Sequence, residues 1–213
     1  MSDSDPFATQ RDTVGSVAAE LMLSGFDDAH EIGRGGFGVV YRCTEPSLDR
    51  TVAVKVLTAD LDEQNRKRFF REQRAAGRLT GHPNIVNILQ TSVTHNGRPF
   101  IVLPYYAHGS LDSRIRRHAL LPLKEVLRIG VKIAGALESA HRFEILHRDV
   151  KPGNILLNDY GEPALADFGI AHFAGSFETE TGVVTGSPAF IAPEVVSGGP
   201  PSSAADVDGL GAT

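Results

Sequence analysis

The chain has 213 residues, 41% of them hydrophobic and 22% charged, and its formal net charge is −5. That length allows one substantial core or two small lobes, and the acidic balance argues against nucleic acid or an anionic membrane as a general partner. Cys43 is the single cysteine, which excludes an intramolecular disulfide and a cysteine metal cluster and favours a reducing, cytoplasmic location.

The chain opens with a polar and acidic segment, MSDSDPFATQRD, which lacks the basic start and apolar run of a signal peptide. The stretch VGSVAAELML then predicts a short helix that Gly25 ends. No uninterrupted apolar segment reaches membrane-spanning length, so we expect no membrane partner. We take residues 1–25 as a lead-in and residues 26–213 as the functional domain.

Residues from Phe26 to about Leu103 have mostly the pattern of strands. The stretch HEIGRGGFGVVYRCTEP predicts a strand, a glycine turn and a second strand. RTVAVKVLT alternates with the two-residue period of a half-buried strand, and IVNILQTSV and PFIVLPY predict two further strands. The sheet is interrupted once, by a helix in DLDEQNRKRFFREQRAAGRLTG that Gly81 and Pro83 end.

After Tyr106 the pattern becomes helical. The stretch LKEVLRIGVKIAGALESAHR has apolar residues at helical spacing, namely Val126, Ile129, Ile133, Leu137 and Ala140. A sheet-rich first half and a helical second half predict an α+β fold of two lobes with a cleft between them.

Three glycines, Gly33, Gly35 and Gly38, lie between the first two predicted strands. A dinucleotide-binding Rossmann turn needs a helix after the glycines, and a Walker loop ends in Gly-Lys-Ser/Thr, so the context excludes both. A glycine hairpin can instead lie over a triphosphate, because missing side chains let backbone N–H groups approach the oxygens. A plain flexible hairpin is the alternative.

Lys55 shares one face of its predicted strand with the small Ala53 and could point beneath the glycine hairpin. A lysine more often faces solvent, so this interpretation needs a partner for the amine. Glu72 lies on the inward stripe of the next helix with Phe69, Ala76 and Leu79, and an inward carboxylate needs a cation. We expect Lys55 and Glu72 to pair.

The stretch LHRDVKPGNILL places a carboxylate, an amine and a carboxamide between apolar flanks. Asp149 can orient an attacking hydroxyl or accept its proton, and Lys151 can neutralise a transferring phosphoryl group. Asn154 can hold a divalent cation through its amide oxygen, with Asp167 of ADFGIA as a second hard-oxygen ligand.

Five ordered motifs now resemble the eukaryotic-like protein kinases: GRGGFGVVY, VAVK, HRDVKPGN, DFG and APE. A lysine two residues after the catalytic aspartate is typical of serine/threonine-specific members. Within the family the chain is most similar to bacterial kinases of the actinobacterial protein kinase K group. Small-molecule kinases of the aminoglycoside type usually lack the Arg-Asp-x-Lys arrangement and the APE motif.

The resemblance implies a bilobal fold with an N-lobe over about 26–103, made of an antiparallel sheet and one helix, and a partial, mainly helical C-lobe over 107–213. The hinge at 104–106 would hydrogen-bond adenine through its backbone. It implies ATP and Mg²⁺, with Mn²⁺ as an alternative, and protein substrates with Ser or Thr acceptors. Asp149 would be the catalytic base, assisted by Lys151, Lys55 and Glu72, and Asn154 and Asp167 would be the metal ligands. The implied ATP-binding residues are Ile32, Gly33, Arg34, Gly35, Gly36, Phe37, Gly38, Val40, Ala53, Lys55, Leu103, Tyr105 and Leu156. Among them, Val40 and Ala53 would lie on one side of the adenine ring and Leu156 on the other.

Regulation is implied by Arg148, which precedes the catalytic aspartate. Kinases with this arginine are commonly switched by a phosphate on the activation loop, because a guanidinium can bind two phosphate oxygens. We predict Thr179 and Thr181 as autophosphorylation sites, and we expect a homodimer to support phosphorylation in trans. Ser187 is expected to contact the catalytic loop instead.

The sequence departs from the family pattern near its end. ADVDGLG matches the start of the central helix of the large lobe, with Asp206 at the position that tethers the catalytic loop, but the family continues for several more helices. We expect the apolar stripe of residues 123–140 to lose part of its packing, and we expect Asp208 and Gly209 to weaken the last helix. An active kinase or a fragment of a longer one, a non-catalytic ATP-binding module and a small-molecule kinase are the hypotheses carried forward.

Overall fold

The computed structural model describes residues 17–35, 38–57, 62–118, 120–168 and 188–213. These residues divide into two compact units, one within Met1–Leu61 and Leu89–Tyr105 and the other within Asp62–Ile88 and Tyr106–Thr213. In this part of the chain, no helix combines the length and the apolar character needed to cross a bilayer.

The first unit is built on a five-stranded antiparallel sheet with the strand order β1-β2-β3-β5-β4. Its strands are β1 (Asp27–Gly35), β2 (Gly38–Glu45), β3 (Arg50–Val56), β4 (Gln90–Val93) and β5 (Pro99–Pro104). The prediction of an antiparallel sheet in the first half is confirmed. IVNILQTSV was predicted as a strand throughout, but the strand covers only Gln90–Val93.

Strand β3 is buried on both faces. Val52, Val54 and Val56 lie in one apolar core with Phe26, Tyr41 and Phe100, and Ala53 and Lys55 on the other face are buried as well. The expectation of a half-buried strand is therefore wrong for β3. Alternation in the sequence reported which residues share a face, but burial of the second face depends on residues distant in sequence.

The short first helix, α1, is described over residues 17–23 and is part of the first unit. Val17 and Leu21 lie in the sheet core, and Glu20 is buried between them. The Glu20 carboxylate accepts hydrogen bonds from Thr94 Oγ1 at 2.6 Å and Asn96 Nδ2 at 2.8 Å. A buried carboxylate that is satisfied in this way fixes α1 to the turn between β4 and β5.

The second unit holds the remaining helices and a small hairpin. Its helices are α2 (Glu63–Ala76), α3 (Leu111–His118), α4 (Leu123–Arg142), α5 (Pro193–Val196) and α6 (Ser203–Gly211), and its hairpin strands are β6 (Ile155–Leu157) and β7 (Pro163–Leu165). Helix α2 begins at the N-cap Asp62, whose carboxylate accepts the Asn65 N–H. It gives way to a 3-10 turn at Gly77, before the predicted end.

Helix α4 has the bounds that its apolar spacing predicted. Ile129, Ile133, Leu137 and Ala140 are buried in the core of the second unit, whereas Val126 is 47% exposed. Four of the five predicted stripe residues are therefore packed in the core.

Helix α6 packs closely against the loop before β6. A Cβ at Gly209 would lie 3.1 Å from the Phe190 carbonyl oxygen and 3.2 Å from that of Val150. The sequence suggested that Gly209 weakens this helix, but the structure shows that a small residue allows the close contact. The helix and its glycine thus position the segment that carries Asp149.

Candidate active site

The glycine hairpin is formed by β1 and β2, with Gly35 paired to Gly38. A Cβ at Gly33 or Gly35 would meet no atom of the described residues within 4 Å, so this part of the fold does not require these two glycines. A Cβ at Gly38 would lie 2.2 Å from the Val56 carbonyl oxygen, which makes Gly38 necessary for the pairing of β2 with β3. Gly36 and Phe37 lie outside the described residues.

The predicted nucleotide-binding side chains share one face of this sheet. Val40 pairs with Lys55 across β2 and β3, and Ala53 pairs with Leu103 across β3 and β5. Directly opposite residues in an antiparallel sheet place their side chains on the same face. The sheet therefore brings Val40, Ala53, Lys55 and Leu103 to one face, and their role in binding ATP stays a prediction.

Lys55 is 6% exposed, so it does not have the solvent-facing position usual for lysine. Its predicted partner Glu72 belongs to the other unit, and the pairing of the two stays a prediction. The Glu72 carboxylate accepts a hydrogen bond from Arg68 Nε at 3.3 Å. Burial raises the pKa of Glu72, against the opposing effect of Arg68, Arg148 and Arg71.

Three predicted site residues, two catalytic and one metal-binding, form one hydrogen-bonded group before β6. The Asp149 carboxylate lies 2.8 Å from Lys151 Nζ and accepts a hydrogen bond from Asn154 Nδ2 at 2.9 Å. Asn154 Nδ2 also donates to the Asp149 carbonyl oxygen at 2.7 Å, so the amide oxygen of Asn154 is directed away from Asp149. This oxygen is the atom that the sequence assigned to a metal.

His147 joins this group to the segment that carries Asp167. Its Nδ1 accepts the Asp149 N–H, and its Nε2 donates to the Ala166 carbonyl oxygen at 2.7 Å. The Ala166 N–H donates to the Asn154 carbonyl oxygen at 2.8 Å. Asp167 therefore directly follows Ala166, which is hydrogen-bonded to His147 and to Asn154, the two ends of the catalytic loop.

The His147 ring is fully buried and lies edge-on to the Phe168 ring, with 4.7 Å between the ring centroids. Burial lowers the pKa of His147, which keeps the ring neutral. A neutral ring suits one nitrogen that accepts and one that donates.

Asp206 of α6 holds the backbone of the catalytic loop, as the sequence predicted. It is 2% exposed, and its carboxylate accepts the N–H of His147 at 2.8 Å and that of Arg148 at 2.7 Å. Arg148 and Asp167 have φ values of 67° and 68°, in the left-handed region that costs energy for residues with a Cβ. Strained residues held by surrounding hydrogen bonds are typical of functional sites.

The donor set of this loop suits a hard divalent cation. Asn154 supplies an amide oxygen and Asp167 a carboxylate, and Mg²⁺ in proteins is commonly held by one or two such groups with water and substrate phosphates. Within the described ranges, no group of three or more His, Cys, Asp or Glu side chains forms a separate metal site. The residues present therefore fit a metal that arrives with a phosphate ligand.

Two contacts near these residues were not predicted from the sequence. His141 Nε2 lies 2.8 Å from Asp206 Oδ2, and the Arg42 guanidinium lies over the ring of Tyr105. Both pairs join residues far apart in the chain, so no local pattern indicated them. The predicted phosphorylation sites Thr179 and Thr181, and Ser187, lie outside the described residues.

Comparison with known proteins decides the family. A model of the protein kinase domain matches residues 26–213. The chain belongs to the protein kinase family. It is 66% identical, over its whole length, to the serine/threonine-protein kinase PknK of Mycobacterium tuberculosis, of which it covers 19%. It is 38% identical over 186 residues, 85% of the chain, to the DNA damage-responsive serine/threonine-protein kinase RqkA of Deinococcus radiodurans, of which it covers 28%.

These relatives are named as serine/threonine-protein kinases, and the protein kinase domain implies ATP as a substrate. A third relative, the serine/threonine-protein kinase PknL of Mycobacterium bovis, is 37% identical over 185 residues, which are 85% of the chain and 46% of PknL. The chain spans about a fifth of the length of PknK, since it covers 19% of that protein. The match supports the predicted family and fold class.

Proposed function

We propose that this kinase domain transfers the γ-phosphate of ATP to Ser or Thr hydroxyls of proteins in bacterial signalling or transcriptional control, and that activation-loop autophosphorylation regulates it. The observation that carries the proposal is the hydrogen-bonded group of Asp149, Lys151 and Asn154, joined through His147 and Ala166 to the segment of Asp167. We keep the cytoplasm as its location, on the unpaired and buried Cys43.

In the proposed reaction the acceptor hydroxyl oxygen attacks the γ-phosphorus, while its proton passes to the Asp149 carboxylate. The bond from the γ-phosphorus to the bridging oxygen breaks, and that oxygen leaves on ADP with the electron pair. Lys151, whose Nζ lies 2.8 Å from the Asp149 carboxylate, is proposed to neutralise the transferred group. Lys55 and the glycine hairpin are proposed to bind the phosphates of ATP.

Asn154 and Asp167 would hold Mg²⁺, or Mn²⁺ in its place, through hard oxygen ligands. When bound, the ion neutralises phosphate charge and orients the oxygens of ATP. The chain's own contribution is to fix the Asn154 amide, whose nitrogen is committed to Asp149.

Arg148 is proposed to bind the phosphate that regulates the kinase. The hydrogen bond from its N–H to Asp206 fixes its φ of 67°. The backbone of Arg148 is therefore already constrained when the side chain binds a phosphate on Thr179 or Thr181. Phosphopeptide mapping of active protein that finds neither threonine modified would contradict this assignment.

The central test is transfer from labelled ATP with Mg²⁺ to a Ser/Thr peptide library, beside an Asp149→Asn variant. We expect transfer by the unaltered protein and a loss of at least about 100-fold in the variant, because proton transfer by a positioned base contributes that much or more. Asp159→Asn is a matched control, since Asp159 is an exposed aspartate of the same unit. It should keep full activity.

Two other results would redirect the proposal. Folded protein that binds ATP without transferring phosphate would indicate the non-catalytic ATP-binding module. Transfer to a small molecule, with none to peptides, would indicate the small-molecule kinase.

Autophosphorylation in trans needs two copies of the kinase to meet. Mixing active protein with the Asp149→Asn variant should place phosphate on Thr179 or Thr181 of the variant. Phosphate confined to the active copies would exclude a trans reaction and with it the expected functional homodimer.

A further inference from the structure

Arg42 occupies a defined place beside the predicted adenine-binding residues. It pairs with Ala53 across β2 and β3, and Ala53 in turn pairs with Leu103 across β3 and β5. It also follows Val40 by two residues and so shares a face of β2 with it. Arg42 therefore lies on the sheet face that we propose to hold adenine, next to Val40 and Ala53.

The guanidinium of Arg42 is placed over an aromatic ring. Its Cζ lies 5.6 Å from the centroid of the Tyr105 ring, within the range of a cation–π interaction. In the part of the chain that the structure describes, Arg42 forms no ion pair that would compete for its charge. Both side chains are partly exposed, and both belong to the first unit.

Tyr105 lies beyond the hydrogen-bonded part of the sheet. The last pair of β3 and β5 joins Val52 to Pro104, so Tyr105 is the first residue after the ladder and the last residue of the first unit. The stack with Arg42 thus restrains one residue beyond the last hydrogen-bonded pair of the sheet, within the hinge segment 104–106.

We propose that Arg42 is a positioning residue for the adenine base, acting through its stack on Tyr105. Holding the ring fixes the backbone of the hinge residue, whose polar groups are proposed to hydrogen-bond adenine, before the nucleotide arrives. A preorganised contact improves affinity because less ordering is left for the binding step. This inference rests on the proposed ATP site and adds the residue that sets its affinity for the base.

The test measures binding of adenosine and ADP by calorimetry, and KM and kcat for ATP, in Arg42→Ala, Tyr105→Leu and the double variant. We expect each single variant to weaken adenosine and ADP by the same factor of about 2–5, the size of a partly exposed cation–π interaction. KM for ATP should rise by a similar factor while kcat stays unchanged. The double variant should be no weaker than either single one, because both remove one interaction.

Arg42→Lys should keep part of the affinity, since an ammonium also binds an aromatic face but cannot stack as a plane. Arg50→Ala is the matched control: Arg50 is an arginine of the same sheet that pairs with Glu45 at 2.6 Å, and its loss should leave nucleotide affinity unchanged. Circular dichroism of each variant checks that it is folded.

Four results would overturn the inference. Losses that multiply in the double variant would mean that Arg42 and Tyr105 act independently. A loss for ADP without a loss for adenosine would place the effect of Arg42 at the phosphates. If Arg42→Ala binds both ligands with wild-type affinity, Arg42 has no positioning role, although the proposed ATP site still stands. If the unaltered protein binds neither ligand, the proposed function is overturned as well.

Discussion

Replacing Asp206 by Asn tests how the catalytic loop is held. The Asp206 carboxylate accepts two backbone N–H groups, from His147 and Arg148, and lies 2.8 Å from His141 Nε2. Asparagine has the same shape but only one oxygen. If that oxygen keeps the Arg148 N–H, the amide NH2 faces the His147 N–H, and two donors then meet in a buried site.

The expected cost follows from these contacts. A buried N–H without an acceptor costs about 1–3 kcal/mol, and a hydrogen bond to a charged group contributes about 1.5–3 kcal/mol. Because the two terms overlap at the same N–H, we expect Asp206→Asn to lower the free energy of unfolding by about 2–4 kcal/mol. Arg148, with φ of 67°, loses part of the support for its strained backbone, so phosphotransfer should fall too.

Urea unfolding followed by far-UV circular dichroism measures this change, because the chain has no tryptophan for fluorescence. Asp208→Asn is the matched control, since Asp208 lies two residues further along the same helix and is exposed. It should change stability by less than about 0.5 kcal/mol. Equal destabilisation by the two substitutions would refute the tethering role of Asp206.

Three further predictions concern stability. Gly38→Ala should destabilise the fold by about 1–3 kcal/mol, because its Cβ would lie 2.2 Å from the Val56 carbonyl oxygen. Gly35→Ala should leave the free energy of unfolding unchanged and weaken ATP binding. Denaturant unfolding of both variants without nucleotide checks the contrast in stability. The pKa of Glu72 is raised by burial, so its contribution to stability is present below the ordinary value near 4.5 and is lost as pH rises. Glu72→Gln should therefore stabilise the fold more at pH 8 than at pH 5 while impairing transfer, and a larger gain at pH 5 would contradict this sign. Gln73 is buried, and among the described residues both polar atoms of its side chain lack a hydrogen-bond partner. Gln73→Leu should therefore raise the free energy of unfolding by about 1–3 kcal/mol, and a fall in the melting temperature would show that the amide is satisfied.

Much of the local structure could be predicted because local patterns report directly on the backbone. The apolar spacing of residues 123–142 gave the bounds of α4, and the glycines between two strand patterns gave the hairpin of β1 and β2. The alternation around Lys55 correctly placed Ala53 and Lys55 on one face of β3, since side chains of a strand alternate with period two.

Predictions failed where the answer depended on distant residues. Strand β3 is buried on both faces, and Val126 at the edge of the α4 stripe is exposed. Gly209, expected to weaken α6, lies against carbonyl oxygens of Phe190 and Val150, which are separated from it by 19 and 59 positions. No window of neighbouring residues contains such information.

The sequence by itself determined which chemical groups this kinase domain has and in what order, because motif identity and spacing are properties of the chain alone. The tertiary structure decided which groups restrain each other. Asp206 reaches the catalytic loop, His147 joins it to the Asp167 segment, and Arg42 stacks on Tyr105. These contacts arise only when segments far apart in sequence are packed together, since hydrogen bonds and ring stacking act over a few ångströms of space.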